Sequence, residues 1–543
     1  MRMVGAVCAA VYAAVVAGLA AGWLAGGLSV PGVCVAFLCG VGVGVAAWIS
    51  LEAGECPRPG VWDLLVGGVF LVAAFRAFFW VVYPAGDEIR VLSPHNLGDM
   101  ALHMGLVRYL ASGIEFWPAS PILAGTSLTY PIGPDLFNAM LSVVGVGERA
   151  GFVLTGFLMA LLGGWALWRY GGAFAVAALL FGGGLAGFAI FRTGEFVEYA
   201  DGLVWKNAFL AMLVTQRGFL FALPAGLFLL RAWQREFLGG TGPRVPLWLQ
   251  ALLYGAMPLM QVHTFVFLSA ALACAVVVRP SGWKRPVATG SAAFVPATAF
   301  LFLVTNGLSA GGAMRWDPGW TLNENGLWGF AMEFGPALLL GVLLAVAVFR
   351  RGDVAGRWVT LTSAVVACAA FLVPLTDWAW DNTKLLIWCW LAVAPFIWLR
   401  VIAPLAVPAR AALCILLFFT GALSLAAGLD LRHGYRLASR AELSDWQALL
   451  SPYPPETVFA ITPDYNHPVL LLGRPVVCGY EGHLSSHGLD YQSTLSALRN
   501  AMALGPGWED AARSVAARAV LLRADESGTG RPRIIEVPEQ PRD

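Results

Sequence analysis

Val30-Pro31-Gly32-Val33-Cys34-Val35-Ala36-Phe37-Leu38-Cys39-Gly40-Val41-Gly42-Val43-Gly44-Val45-Ala46-Ala47-Trp48-Ile49 carries no charged side chain. As a helix, a run of about 20 apolar residues at ~1.5 Å each spans the ~30 Å hydrocarbon core of a bilayer. Similar runs recur near 3–26, 61–83, 150–168, 173–190, 207–232, 246–260, 264–278, 287–305, 330–349, 356–375, 382–401 and 407–428. The expected fold is therefore mainly α, a polytopic membrane bundle of about thirteen transmembrane helices. The pair 246–260 and 264–278 is open to a second reading as one helix kinked at Pro258, which would invert the side of everything after it.

Composition agrees with a bilayer as solvent. Hydrophobic residues make up 58% of the 543, charged residues 12%, and mean hydropathy is +0.71, too apolar for a water-soluble globule. A formal net charge of +1 excludes the clustered basic face that a nucleic-acid partner requires. Eight of the nine cysteines fall in apolar runs or at Cys56, with only Cys478 in the polar tail, so neither a disulfide framework nor a CxxC metal knuckle is expected. Met1-Arg2-Met3 followed by an apolar run mimics a signal peptide, but a second run follows without a cleavage site, and the first is expected to stay as an anchor.

Arginine and lysine set the expected orientation, because cytoplasmic loops retain them. Arg2, Arg58, Arg169, Arg231, Arg235, Arg244, Arg279, Lys284, Arg285, Arg350, Arg351, Arg357, Arg400 and Arg410 fall on one side if the N-terminus is cytoplasmic. Arg90, Arg108, Arg149, Arg192 and Arg315 break the pattern. The chain is thus expected in the inner (plasma) membrane with its C-terminal tail outside. The outer side receives loop 84–149 and most acids and histidines, among them Asp87, Glu88, His95, Asp99, His103, Glu195, Glu198, Asp201, Asp317, Asp377 and Asp381. Three parts follow: a hairpin at 1–60, a membrane domain at 61–431 and a small soluble α/β domain at 432–543. The last has expected helices near 441–451, 490–503 and 508–516 and strands at 457–461, 475–478 and 519–522.

Loop 84–149 is long for a connection, which marks it as functional or disordered. Asp87-Glu88 directly follows a span. Further on, Asp99, His103, Leu106 and Leu110 share one face of an expected helix. A carboxylate stacked with an imidazole and two leucines is aimed into a protein cavity, where its environment can set it up as a general base. The alternative is an i, i+4 hydrogen-bonded pair on an interfacial helix, and for Asp87 and Glu88 it is a pair of solvated loop acids.

With Phe116-Trp117-Pro118 and Leu128-Thr129-Tyr130-Pro131-Ile132-Gly133-Pro134-Asp135-Leu136-Phe137 added to that acid and helix, residues 61–150 resemble the GT-C superfamily of polytopic glycosyltransferases. The protein O-mannosyltransferase and lipopolysaccharide-core galacturonosyltransferase-like branches are nearest in pattern. The resemblance implies a sugar donor linked to polyprenyl phosphate and an acid near the start of the loop as base. Both Asp87-Glu88 and Asp99 match that acid. It also implies a lipid, glycan or protein acceptor, among membrane lipids. No organic cofactor is expected, and a divalent cation, Mg or Mn, is left open.

Arg217 is expected about ten residues into a span, where a charge needs a partner. Either a donor phosphate, which guanidinium matches with its planar fork, or an ion pair with Glu195, Glu198 or an acid of loop 84–149 would serve. Lys384, one turn after Asp381, is a second candidate for the phosphate, with a simple helix-start pair as the alternative. His263, Asp381, Tyr130, His483 and His487 complete the candidate substrate-binding set. For His483 and His487 the competing reading is a structural turn, because their spacing fits no standard zinc motif. Two other function classes compete with a transferase. A transporter or flippase predicts broken helices in two related halves, of which the sequence shows no symmetry. A non-catalytic envelope assembly protein using its tail is the third.

Overall fold

The computed structural model describes residues 1–543 except 55, 201–202, 241, 243, 309–313, 323–325, 377, 433, 529–530 and 539–543, so Asp201 and Asp377 lie outside the described residues. It is mainly helical, 66% of the chain. Among the described residues, eight helices are long and apolar enough to cross a membrane: Arg2–Ala25 (α1), Val30–Ser50 (α2), Val61–Phe79 (α3), Glu148–Phe181, Lys284–Val304, Val354–Leu372, Ala379–Ile402 and Val407–Gly428. Gly326–Phe334 and Ala337–Arg351 make a ninth if the pair, bent by 75°, is one broken span. Val35, Leu38 and Val41 on α2 are more than 60% exposed, a row that requires lipid rather than water. The chain is an integral membrane protein.

The first two helices pack through small residues. A Cβ at Gly40 would lie 2.6 Å from the Ala10 carbonyl oxygen, and one at Gly44 would lie 2.8 Å from Ala10 Cβ. The Gly40-x-x-x-Gly44 spacing lets the two backbones approach closely, the usual route to helix association where apolar burial gains nothing. At the opposite end, Arg76 in the last turn of α3 donates to the carbonyls of Leu429 (3.2 Å) and Asp430 (3.1 Å), holding the end of the last membrane helix.

Fewer full-length spans form than the apolar runs suggest, for local reasons. The runs at 150–168 and 173–190 appear as Glu148–Phe181 with non-helical Gly171 and Gly172 inside; Gly172 takes φ 66°, open to glycine. Asp63 accepts a hydrogen bond from the Ala173 amide at 2.9 Å and caps the restart, but the second helix ends at Phe181. The run at 207–232 divides into a wide π-helical turn, Phe209–Val214, and a helix Arg217–Glu236, with Gln216 extended between them (φ −89°, ψ 91°). The run at 246–278 breaks at Gln261 (φ −161°, ψ 116°), not at Pro258. Gln250 before that break bonds Glu236 at 2.8 Å, and Arg279 after it bonds the Phe237 carbonyl at 3.3 Å. The chain therefore leaves and returns to the same end, as two antiparallel passes turning at Gln261.

The polar loop and tail form one body rather than two. Tyr83–Ala85 (β1) and Glu88–Val91 (β2) make an antiparallel hairpin, and Tyr435–Ser439 (β3) from the tail adds antiparallel to β2. A second sheet holds Phe459–Ala460 (β4), Ala519–Leu522 (β5) and Arg533–Glu536 (β6), with β4 parallel to β5 and β6 antiparallel to it. The expected strand at 475–478 forms only isolated bridges, Val476 with Phe459 and Cys478 with Leu123 of the loop. The expected tail helices occur as Arg440–Leu450, Gln492–Met502 and Trp508–Ser514.

Candidate functional site

The site grows from the loop helix Leu97–Ala111 (α4), whose residues from Met100 to Val107 are all buried. Asp99 lies in its first turn, where the helix dipole favours negative charge. Gln216, turned outward by the break before Arg217, donates from Nε2 to Asp99 Oδ1 at 2.7 Å. Burial pushes the Asp99 pKa above the ordinary carboxylate range, against the lowering effects of His103, Lys384 and the Gln216 hydrogen bond. Part of the side chain remains accessible. The result is a more basic carboxylate with one oxygen fixed.

His103 follows one turn later on the same face. Its Nδ1 lies 2.9 and 3.0 Å from the two carboxylate oxygens of Asp135, with both side chains about 1% exposed. Asp135 stands in the first turn of the helix Gly133–Val143 (α5), which Pro134 starts. Held this way, His103 directs Nε2 away from Asp135, and that buried atom has no hydrogen-bond partner.

Across from α4, Lys384 and Asp381 pair at 2.8 Å, each side chain 12% exposed. Both are within electrostatic reach of Asp99 and of His263. The tail supplies the remaining wall through the short helix Glu481–Ser486. His483 lies against Gly98, where a Cβ would come 3.3 Å from its Nε2. His487 packs its ring on Tyr130, centroids 4.7 Å apart and planes at 35°; the Tyr130 ring is 6.2 Å from that of His103. Burial lowers the pKa of His483 to about 4 and, with Lys384 in electrostatic reach, of His487 to about 3, so both rings are neutral at pH 7. Burial and the acids Asp135, Asp99 and Asp381 keep the Tyr130 phenol protonated.

The structure thus gathers Asp99, His103, Tyr130, His263, Asp381, Lys384, His483 and His487, drawn from loop, membrane helices and tail. Arg217 is placed differently from expectation. It is not ten residues into a span but opens the helix Arg217–Glu236, wholly buried. Its Nη2 donates to Thr155 Oγ1 at 2.8 Å and its guanidinium lies 4.6 Å from the Phe152 ring centre. The acid in its electrostatic reach is Asp135, which comes from loop 84–149, while Glu198 contacts His95 at 3.2 Å.

Asp87 and Glu88, the other candidate bases in the sequence, stand apart from these groups, each held by partners in the hairpin and the tail. Asp87 sits in the turn between β1 and β2, accepts from the Ser439 hydroxyl and from the Ala441 amide (3.0 Å), and so caps the tail helix Arg440–Leu450. Those hydrogen bonds lower its pKa. Glu88 pairs with Arg90 at 2.7 Å and lies 3.9 Å from Arg436.

Two members escaped the sequence reading. Asp135 left one weak signal, an acid just after Gly133-Pro134 at a helix start; its pairing with His103, 32 residues earlier, left none. Gln216 is masked by its apolar surroundings. Among the described residues no three His, Cys, Asp or Glu side chains are arranged to hold a metal ion.

No protein-family model matches the chain, and no curated protein matches it. Among solved structures, the oligosaccharyltransferase of Archaeoglobus fulgidus tethered to an acceptor peptide containing the NVT sequon gives a TM-score of 0.45 at 11% identity, over 86% of this chain and 69% of that one. Its apo form gives 0.44 at 12% identity, over 86% and 70%. Scores below 0.5 establish neither a shared family nor a shared reaction.

Proposed function

We propose that the chain is a membrane glycosyltransferase of the GT-C type, which moves a sugar from a polyprenyl-phosphate donor to an acceptor hydroxyl on the non-cytoplasmic face with inversion. The observation that carries the reading is a carboxylate, Asp99, held by Gln216 at 2.7 Å and raised in pKa by burial, with the Lys384–Asp381 pair in electrostatic reach and the neutral imidazole of His483 against its helix. Asp99 takes the acceptor proton as the acceptor oxygen bonds to the anomeric carbon. The bond from that carbon to the phosphate oxygen breaks, and its electron pair leaves on the phosphate. Lys384 exchanges Asp381 for the phosphate and stabilises the developing charge. Tyr130, His263, His483 and His487 offer neutral donors and acceptors that suit sugar hydroxyls.

The test is transfer from radiolabelled polyprenyl-phosphate glucose, galactose or mannose in membranes containing wild type or Asp99→Asn. The reading expects transfer from at least one donor by wild type and its loss in the variant. Equal transfer by both would remove Asp99 as base, and no transfer from any donor would remove the glycosyltransferase.

A further inference from the structure

The mechanism above leaves the buried His103–Asp135 pair without a task. Buried polar atoms rarely go unpartnered, since leaving one unsatisfied costs about 1–3 kcal/mol. His103 Nε2 is such an atom. Its orientation is not accidental. Asp135 receives Nδ1 with both oxygens at 2.9 and 3.0 Å, which fixes the neutral tautomer as proton on Nδ1 and lone pair on Nε2. Arg217 lies within electrostatic reach of Asp135, on the far side of the pair from Nε2. Asp99 lies one helical turn back on the same face, its Oδ1 occupied by Gln216.

Resting on the glycosyltransferase reading, we infer that His103, positioned by Asp135, is the second station for the acceptor proton, clearing it from Asp99 after each transfer. In that step the O–H bond of the protonated Asp99 carboxyl breaks and its electron pair stays on Asp99. The lone pair of His103 Nε2 takes the proton, and the imidazolium is balanced by the Asp135 carboxylate. Water takes the proton as product leaves. Asp381, Lys384, Tyr130, His483 and His487 are other charged or titratable groups around this path, and of the two imidazoles among them His483 lies against Gly98 and His487 against the Tyr130 ring.

The relay acts after the sugar has moved, so it enters kcat but not kcat/KM. In membranes supplied with a radiolabelled polyprenyl-phosphate hexose that wild type uses, His103→Gln and Asp135→Asn should lower kcat about 10-fold while kcat/KM for the donor stays within about 2-fold. The first turnover should proceed at the wild-type rate, and its amplitude reports the folded fraction of each variant. Asp135→Glu, which keeps the charge, should recover most of the wild-type kcat. Parallel loss of kcat and kcat/KM, unchanged kcat in both variants, or Asp135→Glu as slow as Asp135→Asn would each overturn the relay. A wild type silent with glucose, galactose and mannose donors would instead overturn the reading on which it rests.

Discussion

Two acidic positions in one loop, Asp87 and Asp99, end in opposite environments. Asp87 lies in an exposed hairpin turn and caps a helix that begins more than three hundred residues later, so hydrogen bonds lower its pKa. Asp99 is packed between a membrane-helix break and the tail, so burial raises its pKa. The same side chain becomes a staple in one place and a base in the other. What differs is how much water and how many donors each one meets.

The largest effect that sharpens this contrast is on turnover. Asp99→Asn should reduce transfer by about 10²–10⁴-fold, the range for removing a general base. It should not lower Tm. A carboxyl whose folded pKa is raised above its unfolded value opposes folding when ionised, and the amide relieves that opposition. A Tm drop alongside the lost activity would indicate a structural acid instead. The pH profile follows with a definite sign: the base works only when ionised, so transfer should fall as pH drops through the raised Asp99 pKa, above the ordinary value of about 3.9. An acid limb at or below that value would contradict the burial argument.

Lys384→Gln should come next, with about a 10²-fold loss in kcat if the lysine stabilises leaving phosphate. A change confined to KM would make it a binding residue only. A smaller effect concerns docking of the tail. His483 and His487 have folded pKa values of about 4 and about 3, below the unfolded value of about 6.5, so the unfolded state binds more protons between those limits. Their contribution to stability is present above pH 6.5 and is lost as pH falls toward 4 and then 3. Tm should therefore fall on acidification from pH 7 to 5, and less so in His487→Asn. The smallest effect is expected for Asp87→Ala, a slightly lower Tm with kcat unchanged, since it removes a cap whose partners are Ser439 and Ala441.

Much of this architecture is written locally. The twenty-odd-residue apolar runs specify most membrane helices, and Asp99 with His103 at i, i+4 specifies one buried face of the loop helix. Breaks inside apolar runs are harder to read. Gly171-Gly172, Thr215-Gln216 and Gln261 interrupt helices through backbone geometry that hydropathy does not register. The partnerships that decide roles are non-local. Asp87 meets Ala441, His103 meets Asp135, and Asp99 meets Gln216 only after the chain has folded back on itself. Periodicity places a side chain on a face but does not name what it will face.

The most direct test compares sugar transfer from radiolabelled polyprenyl-phosphate hexoses in membranes carrying wild type, Asp87→Asn or Asp99→Asn at equal expression. The account predicts near wild-type transfer for Asp87→Asn and at least about a 100-fold loss for Asp99→Asn. Loss with Asp87→Asn and retention with Asp99→Asn would contradict it.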